Sequence, residues 1–366
     1  MKAVFIADVE MKETDGIYKK IYAEAFALGN IIGDCMLILR NETGSLLINT
    51  HTGQMEKTGG SVLERATNIL ENDKIDILYI RRMNPSIKLY KLLSKAMPKK
   101  TKVYYEIPTY PFYAEQFRTS KKKHRAIAKI VIDVLFSPFI YKKCDRIVVI
   151  RSNSRMNLNG KMIAITNGVQ SDSIKAKNYN KPWDGVFRMV AVGTLYPYHG
   201  YDRILQGMYL CQEEVEGIPV EFHIIGESQT IEDLQALAHQ LCLKRVFFHG
   251  VKTTDELNDM FDRFDAGVGC VALHRRNADI DTTIKLIEYY CRGVPGITSG
   301  ISPYKDPSMT ITVPDDENPI SIHTIYDAWK KMPADKLSEL SNHAKAQFSW
   351  ETIMKGILTE KAERDQ

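Results

Sequence analysis

Short apolar runs alternate along the chain with longer stretches in which apolar residues recur at helical spacing. In the first half, the runs Ala3–Ala7, Cys35–Leu39, Ile75–Ile80, Val103–Glu106, Arg146–Ile150 and Met162–Ile165 predict strands. Helices are predicted at Ile17–Leu28, Val62–Glu71, Ile87–Lys95 and Ala126–Tyr141. The alternation stops at residues 166–186, TNGVQSDSIKAKNYNKPWDGV, a polar stretch with Asn, Gly, Ser and Pro and no clear apolar period, which reads as a linker. It restarts with strands at Arg188–Val192, Glu221–Ile225, Val246–His249, Ala266–Val271 and Val294–Thr298. Helices are predicted at Tyr201–Glu214, Ile231–Leu243, Thr254–Phe264 and Thr283–Arg292, and three more close the chain, the last at Trp350–Lys361. This order predicts an α/β protein of two doubly wound parallel sheets. Ligands bind such sheets at the carboxyl ends of the strands, so two domains facing one another would form a cleft.

Composition narrows the classes. A chain of 366 residues with 44% hydrophobic and 26% charged residues is globular, and the length suits two domains. The net charge of +4, from 49 basic and 45 acidic residues, is too small to imply nucleic-acid binding. The six cysteines lie far apart with no CxxC pair, which fits reduced thiols rather than zinc or disulfides. No GxGxxG occurs, which argues against a dinucleotide cofactor. No run approaches the length of a membrane span and no signal-peptide core opens the chain, so the expectation is cytoplasmic, including the periphery of the inner face of the plasma membrane.

Charge distribution says more than net charge. From Arg118 to Arg155 there are eleven basic residues against two acidic ones, Asp133 and Asp145. The run Lys121–Arg125 leads straight into the apolar stretch Ile127–Tyr141. On a helix, Lys122, Arg125, Lys129 and Asp133 fall on one stripe and leave Ile130, Val131, Val134 and Leu135 to other faces. Two readings follow: a buried helix with a solvated basic start, or a basic patch at 118–129 that meets anionic lipid.

Two stretches carry candidate chemistry. In Gly267–Ser299, GVGCVALHRRNADIDTTIKLIEYYCRGVPGITS, a strand runs into the polar loop His274, Arg275, Arg276, Asn277, and a helix opens near Asp281–Thr283. Lys285 and Glu288 share a face near its N-terminal end. Helix N–H groups beside a lysine suit an anion, and a carboxylate one turn further in suits a ribose diol. The plainer alternative is a solvated Lys–Glu pair. In Val190–Leu205, VAVGTLYPYHGYDRIL, a strand ends at Gly193, which lets backbone approach a ligand, and a helix begins after His199-Gly200 with Arg203 in its first turn. His199 is a donor to phosphate on one reading and a capping residue on the other.

The order of HGYDRI (199–204), the HRR loop (274–276), TIKLIEYYCRGVP (283–295) and FSWE (348–351) resembles glycosyltransferase family 4, of the bacterial capsular or exopolysaccharide type. TDGIYKKI (14–21), YEIPTYP (105–111) and TNGV (166–169) in the first half agree with it. The resemblance implies a GT-B fold, with two Rossmann-like domains facing across a cleft. An acceptor domain would span 1–172, a linker 173–186 and a nucleotide-sugar domain 187–346, with a final helix in 347–366 crossing back to the first domain. It implies a retaining hexosyltransferase that needs neither metal nor cofactor. The donor would be a nucleoside diphosphate sugar, expected to be UDP-linked, and the acceptor a glycan or lipid-linked oligosaccharide. Glu288 would hold the ribose hydroxyls, Lys285 and the Thr283 backbone the diphosphate, with Arg203 and His199 nearby, and Gly16 would keep its loop open.

Two positions depart from that pattern. Many relatives carry a second glutamate where this chain has Ile280, and Thr194 follows Gly193 where arginine is common. Phosphate charge is therefore expected from Lys285, Arg203 or Arg275. Asp279-Ile280-Asp281 is formally a DxD, but it precedes a helix in the second domain, so no metal site is assigned to it. In the expected mechanism the departing phosphate oxygen takes the acceptor proton, with Glu106 as an alternative base. Two other functions keep to the same fold logic: a non-catalytic glycan-binding partner of another transferase, and a sugar-nucleotide epimerase.

Overall fold

The computed structural model describes residues 1–11, 16–113, 116–117, 120, 122–155, 158, 160–227, 231–332 and 334–359. Two residues of the TDGIYKKI motif, Thr14 and Asp15, lie outside these, as do Arg118 and Lys121 of the basic run. The chain divides into two compact units. The first comprises Met1–Arg151, Arg155–Thr166 and Trp350–Gln366, and the second Ser152–Ser154 with Asn167–Ser349.

The first unit is an eight-stranded sheet. Its strands are β1 (Lys2–Glu10), β2 (Asp34–Asn41), β3 (Gly44–Asn49), β4 (Met55–Gly59), β5 (Ile77–Arg81), β6 (Lys102–Tyr110), β7 (Arg146–Arg151) and β8 (Met162–Ile165), in spatial order β4-β3-β2-β1-β5-β6-β7-β8. All pairings from β2 to β8 are parallel, and the β3–β4 hairpin extends one edge antiparallel. Alternate residues of β1 serve opposite faces, as the period of a strand requires. Ala3, Phe5 and Ala7 join a core with α1 (Gly16–Ile32), while Val4 and Ile6 join one with α2 (Val62–Asn72) and α3 (Ile87–Ala96). The predicted elements are all present here; the hairpin β3–β4 is additional.

The helix α4 (Lys123–Lys143) does not follow the first of its two readings, that of a buried apolar helix. Its buried residues are Ala126, Asp133, Ser137 and Ile140. Asp133 points inward because it is provided for: Arg82 lies 3.1 Å away, and the hydroxyls of Tyr113 and Ser137 donate to it at 2.8 and 2.9 Å. With the polar stripe anchored, Ile127, Val131, Ile132, Val134, Leu135, Phe136 and Phe139 are left exposed.

In the second unit, β9 (Phe187–Val192), β10 (Glu214–Val215), β11 (Ile218–Ile225), β12 (Val246–Phe248), β13 (Ala266–Val268), β14 (Gly296–Thr298) and β15 (Thr310–Thr312) form one sheet. The order runs β10-β11-β9-β13-β14-β15, with β12 also on β11. Every pairing is parallel except β10–β11. Strand order reverses direction between β9 and β13, which makes the carboxyl ends of those two strands the switch point where doubly wound sheets bind ligands. The helices are α5 (Tyr201–Leu210), α6 (Ile231–Gln240), α7 (Thr254–Met260), α8 (Ile284–Cys291), α9 (Ile322–Lys330) and α10 (Ala334–Phe348).

The stretch expected as a linker at 173–186 is part of this second unit. Its polar side chains find partners there: Lys177 Nζ is 3.1 Å from Asp265, Lys181 Nζ is 2.6 Å from Asp262, and the Tyr179 hydroxyl donates to Gly293 O at 2.5 Å. The last helix, α11 (Trp350–Thr359), packs in the first unit, with Trp350, Met354 and Ile357 buried beside Ile21, Ala25 and Leu28 of α1.

Candidate active site

At the switch point of the second unit, two glycines let strand ends close on one another. Gly193, just past β9, has φ +116°, and Gly226, just past β11, has φ +136°. A Cβ at Gly226 would stand 2.1 Å from the carbonyl oxygen of Gly193, so only glycine fits. The Gly193 N–H donates to Ile225 O at 2.9 Å and fixes the turn. The chain then makes a single turn over Pro197–His199, passes Gly200 at φ +72°, and enters α5.

His199 is buried in that turn. Its Nδ1 accepts from the Tyr196 N–H at 3.1 Å, which leaves the hydrogen of a neutral ring on Nε2. Burial, then the charges of Lys285 and Arg276, hold the imidazole far below its usual pKa, so it is neutral. Lys285 Nζ lies 3.2 Å from both ring nitrogens and donates to the Tyr201 hydroxyl at 2.9 Å. Burial pulls the Lys285 ammonium down to about 8. Its Cε would be 3.8 Å from a Cβ built on Gly193. The structure thus brings Gly193, His199 and Lys285 to one spot, with Thr283 at the N-cap of α8. Glu288 lies half-buried one turn beyond Lys285 on α8.

The start of α8 is held by a residue that sequence analysis had set aside. Asp281 is fully buried; one carboxylate oxygen accepts from the Thr283 N–H and hydroxyl at 3.1 and 2.6 Å. The other accepts from Cys270 N–H and the Thr298 hydroxyl at 2.8 and 3.0 Å, joining the ends of β13 and β14 to the helix. Asp279 turns elsewhere, accepting from the Ser154 N–H and hydroxyl at 2.6 and 2.5 Å. The two acids of the DxD therefore face different partners. Among the described residues no group of three or more potential metal ligands is found.

Two expected phosphate ligands are engaged inside the unit. Arg203 is buried at 1% exposure, and its guanidinium donates to Asn318 O at 2.7 Å, Pro314 O at 3.0 Å and Asp316 at 2.7 Å. Arg275 grips Asp202 through two bonds of 2.8 Å each and reaches Glu317 at 3.0 Å. Bidentate carboxylate pairing of this kind fixes a loop geometrically. Both guanidiniums expected to supply phosphate charge are thus occupied by acceptors within the unit, whereas Lys285 stands beside Gly193.

Glu106, the alternative base, stands at the carboxyl end of β6 in the first unit, fully buried. Its carboxylate is 3.1 Å from Arg81 and 3.6 Å from Lys20, and both cations also approach Glu24, at 3.6 and 3.4 Å. Glu106, expected as the alternative base, thus lies in a buried ion cluster with Arg81, Lys20 and Glu24. Gly16 opens α1, and a Cβ there would meet nothing within 4 Å. Sequence analysis missed Tyr201, although its spacing to Ile204, Leu205 and Met208 is the apolar face of α5. It also missed Gly226, and the Lys20–Glu24 pair, whose i,i+4 spacing on α1 was the available signal.

Residues 186–321, spanning this site, match the family model described as glycosyl transferases group 1. No curated protein matches the chain in sequence. Among solved structures, the chain is similar to sucrose-phosphate synthase from Thermosynechococcus elongatus, at 12% identity, 98% coverage of each chain and a TM-score of 0.61. It is also similar to WaaG, a glycosyltransferase involved in lipopolysaccharide biosynthesis, at 12% identity over 98% of this chain and 100% of that one, TM-score 0.60. The catalytic domain of starch synthase IV from Arabidopsis thaliana, bound to ADP and acarbose, gives 11% identity, 97% coverage of each and 0.59. The fold is GT-B. At these identities the likeness establishes the fold, and the chemistry has to be argued from the GT-B site itself.

Proposed function

We propose that this protein is a retaining glycosyltransferase that moves a sugar from a nucleoside diphosphate donor, UDP-linked, to a lipid-linked glycan acceptor in capsule or exopolysaccharide synthesis. The observation that carries the reading is the meeting of Gly193, His199 and Lys285 at the switch point, inside the segment matched by the group 1 family model. In this mechanism the diphosphate gains charge as the glycosidic bond breaks. Lys285 and the first N–H groups of α8 stabilise that charge without a metal. The neutral His199 offers Nε2–H as a donor on the same side. The acceptor hydroxyl attacks from the face the diphosphate leaves, and a departing phosphate oxygen takes its proton, so no enzymic nucleophile is required. Glu288 holds the ribose hydroxyls.

The test is a thermal-shift screen of the full chain with EDTA present, against UDP, ADP, GDP and their sugar conjugates. A uridine diphosphate should raise the melting temperature, and its affinity should fall as pH rises through about 8, where Lys285 loses its proton. Lys285→Ala and Glu288→Ala should each weaken binding by roughly 1.5–3 kcal/mol. Wild-type affinity in both variants would return the pair to a solvated helix face, and a shift that appears only with Mn²⁺ would defeat the metal-free mechanism.

A further inference from the structure

The apolar face of α4 is a continuous surface. Ile127, Val131, Leu135 and Phe139 follow one another at intervals of four, and Val134, Ile132 and Phe136 widen the stripe. Leu135 and Phe139 are 58% and 59% exposed, and the other five are all above 40%. The helix is about 30 Å long, and its ends are basic: Lys122, Lys123 and Arg125 at the start, Lys142 and Lys143 at the finish. Its one acid, Asp133, is turned inward against Arg82. Asp133 and Ser137, with Ala126 and Ile140, hold α4 to its unit while seven larger apolar side chains face outward, which an ordinary sheet-covering helix would bury.

We infer that α4 lies in the surface of an anionic lipid bilayer, with its apolar stripe inserted among the acyl chains and its basic ends on the headgroups. An interfacial helix has this distribution: aliphatic and aromatic residues on one face, lysine and arginine beside it. Binding has two components, insertion of apolar area and attraction of the basic ends to negative lipid. This differs from a purely electrostatic patch at 118–129, because the apolar component is not screened by salt. A second copy of the chain fits this face poorly. Two such helices packed antiparallel about a two-fold axis would set Lys122–Arg125 of one against Lys142-Lys143 of the other, and a parallel arrangement would set like ends together. The inference rests on the proposed lipid-linked acceptor, since such a substrate lies in a bilayer. The surface also gives that reading a way to bring enzyme and substrate into one plane.

Sedimentation of the full chain with vesicles of phosphatidylglycerol and phosphatidylcholine, against phosphatidylcholine alone, tests it without any glycan present. Wild type should prefer the anionic vesicles, and part of its binding should survive ~1 M NaCl, where the screening length falls to about 3 Å. Substituting Val131→Ser, Leu135→Ser and Phe139→Ser together removes only exposed side chains. It should weaken binding at least about tenfold and leave the nucleotide-induced thermal shift unchanged. Wild-type binding by that variant, with complete release by salt, would overturn insertion in favour of the basic run alone. Absence of vesicle binding, together with a dimer that the variant abolishes, would assign the face to a second copy. Because the nucleotide shift is read separately, failure of insertion is distinguishable from failure of the proposed donor chemistry.

Discussion

Glu24 is completely buried between Lys20 and Arg81, with the carboxylate of Glu106 sharing the same two cations. Burial raises its pKa from 4.5 to about 7; Glu106 adds to the rise, and Lys20 and Arg81 oppose it. The folded chain therefore holds this proton more tightly than the unfolded chain does. The resulting stabilisation is complete below about pH 4.5 and is lost as pH rises through about 7. Glu24→Gln keeps the shape of the protonated acid without its titration. Its stability relative to wild type should improve between about pH 5 and about pH 8, by up to about 3 kcal/mol. Melting curves of both proteins at the two pH values decide this; a difference that does not change with pH would mean that Glu24 is ionised in the fold throughout. Charge counting along the sequence could not have found this cluster, since its members come from α1, β5 and β6. Nor could it show that Arg203 and Arg275 are internal, because their acceptors lie in 314–318 and at Asp202.

At the scale of elements, the site depends on how β9 and β11 end. Gly226→Ala would drive a methyl group into the Gly193 carbonyl at a backbone angle that side chains rarely adopt, so the turn that faces Lys285 must shift. A loss of about 1–3 kcal/mol in stability is expected, with a larger proportional loss of nucleotide affinity than Lys285→Ala causes. Calorimetric titration with UDP beside a melting curve checks both, and unchanged affinity would show that the turn does not touch the ligand. Most core strands were legible because each is an apolar run between turn signals, although β3, whose Leu46 and Ile48 are core residues, was passed over. The edge strand β4 was not legible either. Its residues, MEKTG, are mostly exposed and polar, and it is held to β3 by backbone pairing, which leaves no apolar signature. The same limitation concealed 173–186, whose Lys177 and Lys181 look solvated until Asp265 and Asp262 are brought beside them. For α4 the basic start and the apolar residues were legible but the choice between a buried and a surface helix was not, since a sequence does not say which stripe of a helix faces its sheet.

At the scale of the whole molecule, the first unit is completed by residues that follow the second in sequence. Trp350, Met354 and Ile357 of α11 are buried against α1, Lys20 approaches the Trp350 ring at 5.5 Å, and Asn30 donates to Glu351 at 2.8 Å. Lys20 is also a member of the Glu24–Glu106 cluster, so α11 supports the helix that carries two of its four charges. Removing the indole leaves a cavity over α1 and deprives Lys20 of an aromatic neighbour. Trp350→Ala should therefore cost about 3–5 kcal/mol, the range for large aromatic side chains removed from a core. The loss should appear where the contacts are. Amide hydrogen exchange in α1 and α11 should accelerate, while exchange in α5 and α8, whose buried residues belong to other cores than Trp350, should stay as in wild type. Equal acceleration in all four helices would show instead that both units unfold as one cooperative body. A wild-type exchange pattern throughout would mean that α11 contributes no stability to α1.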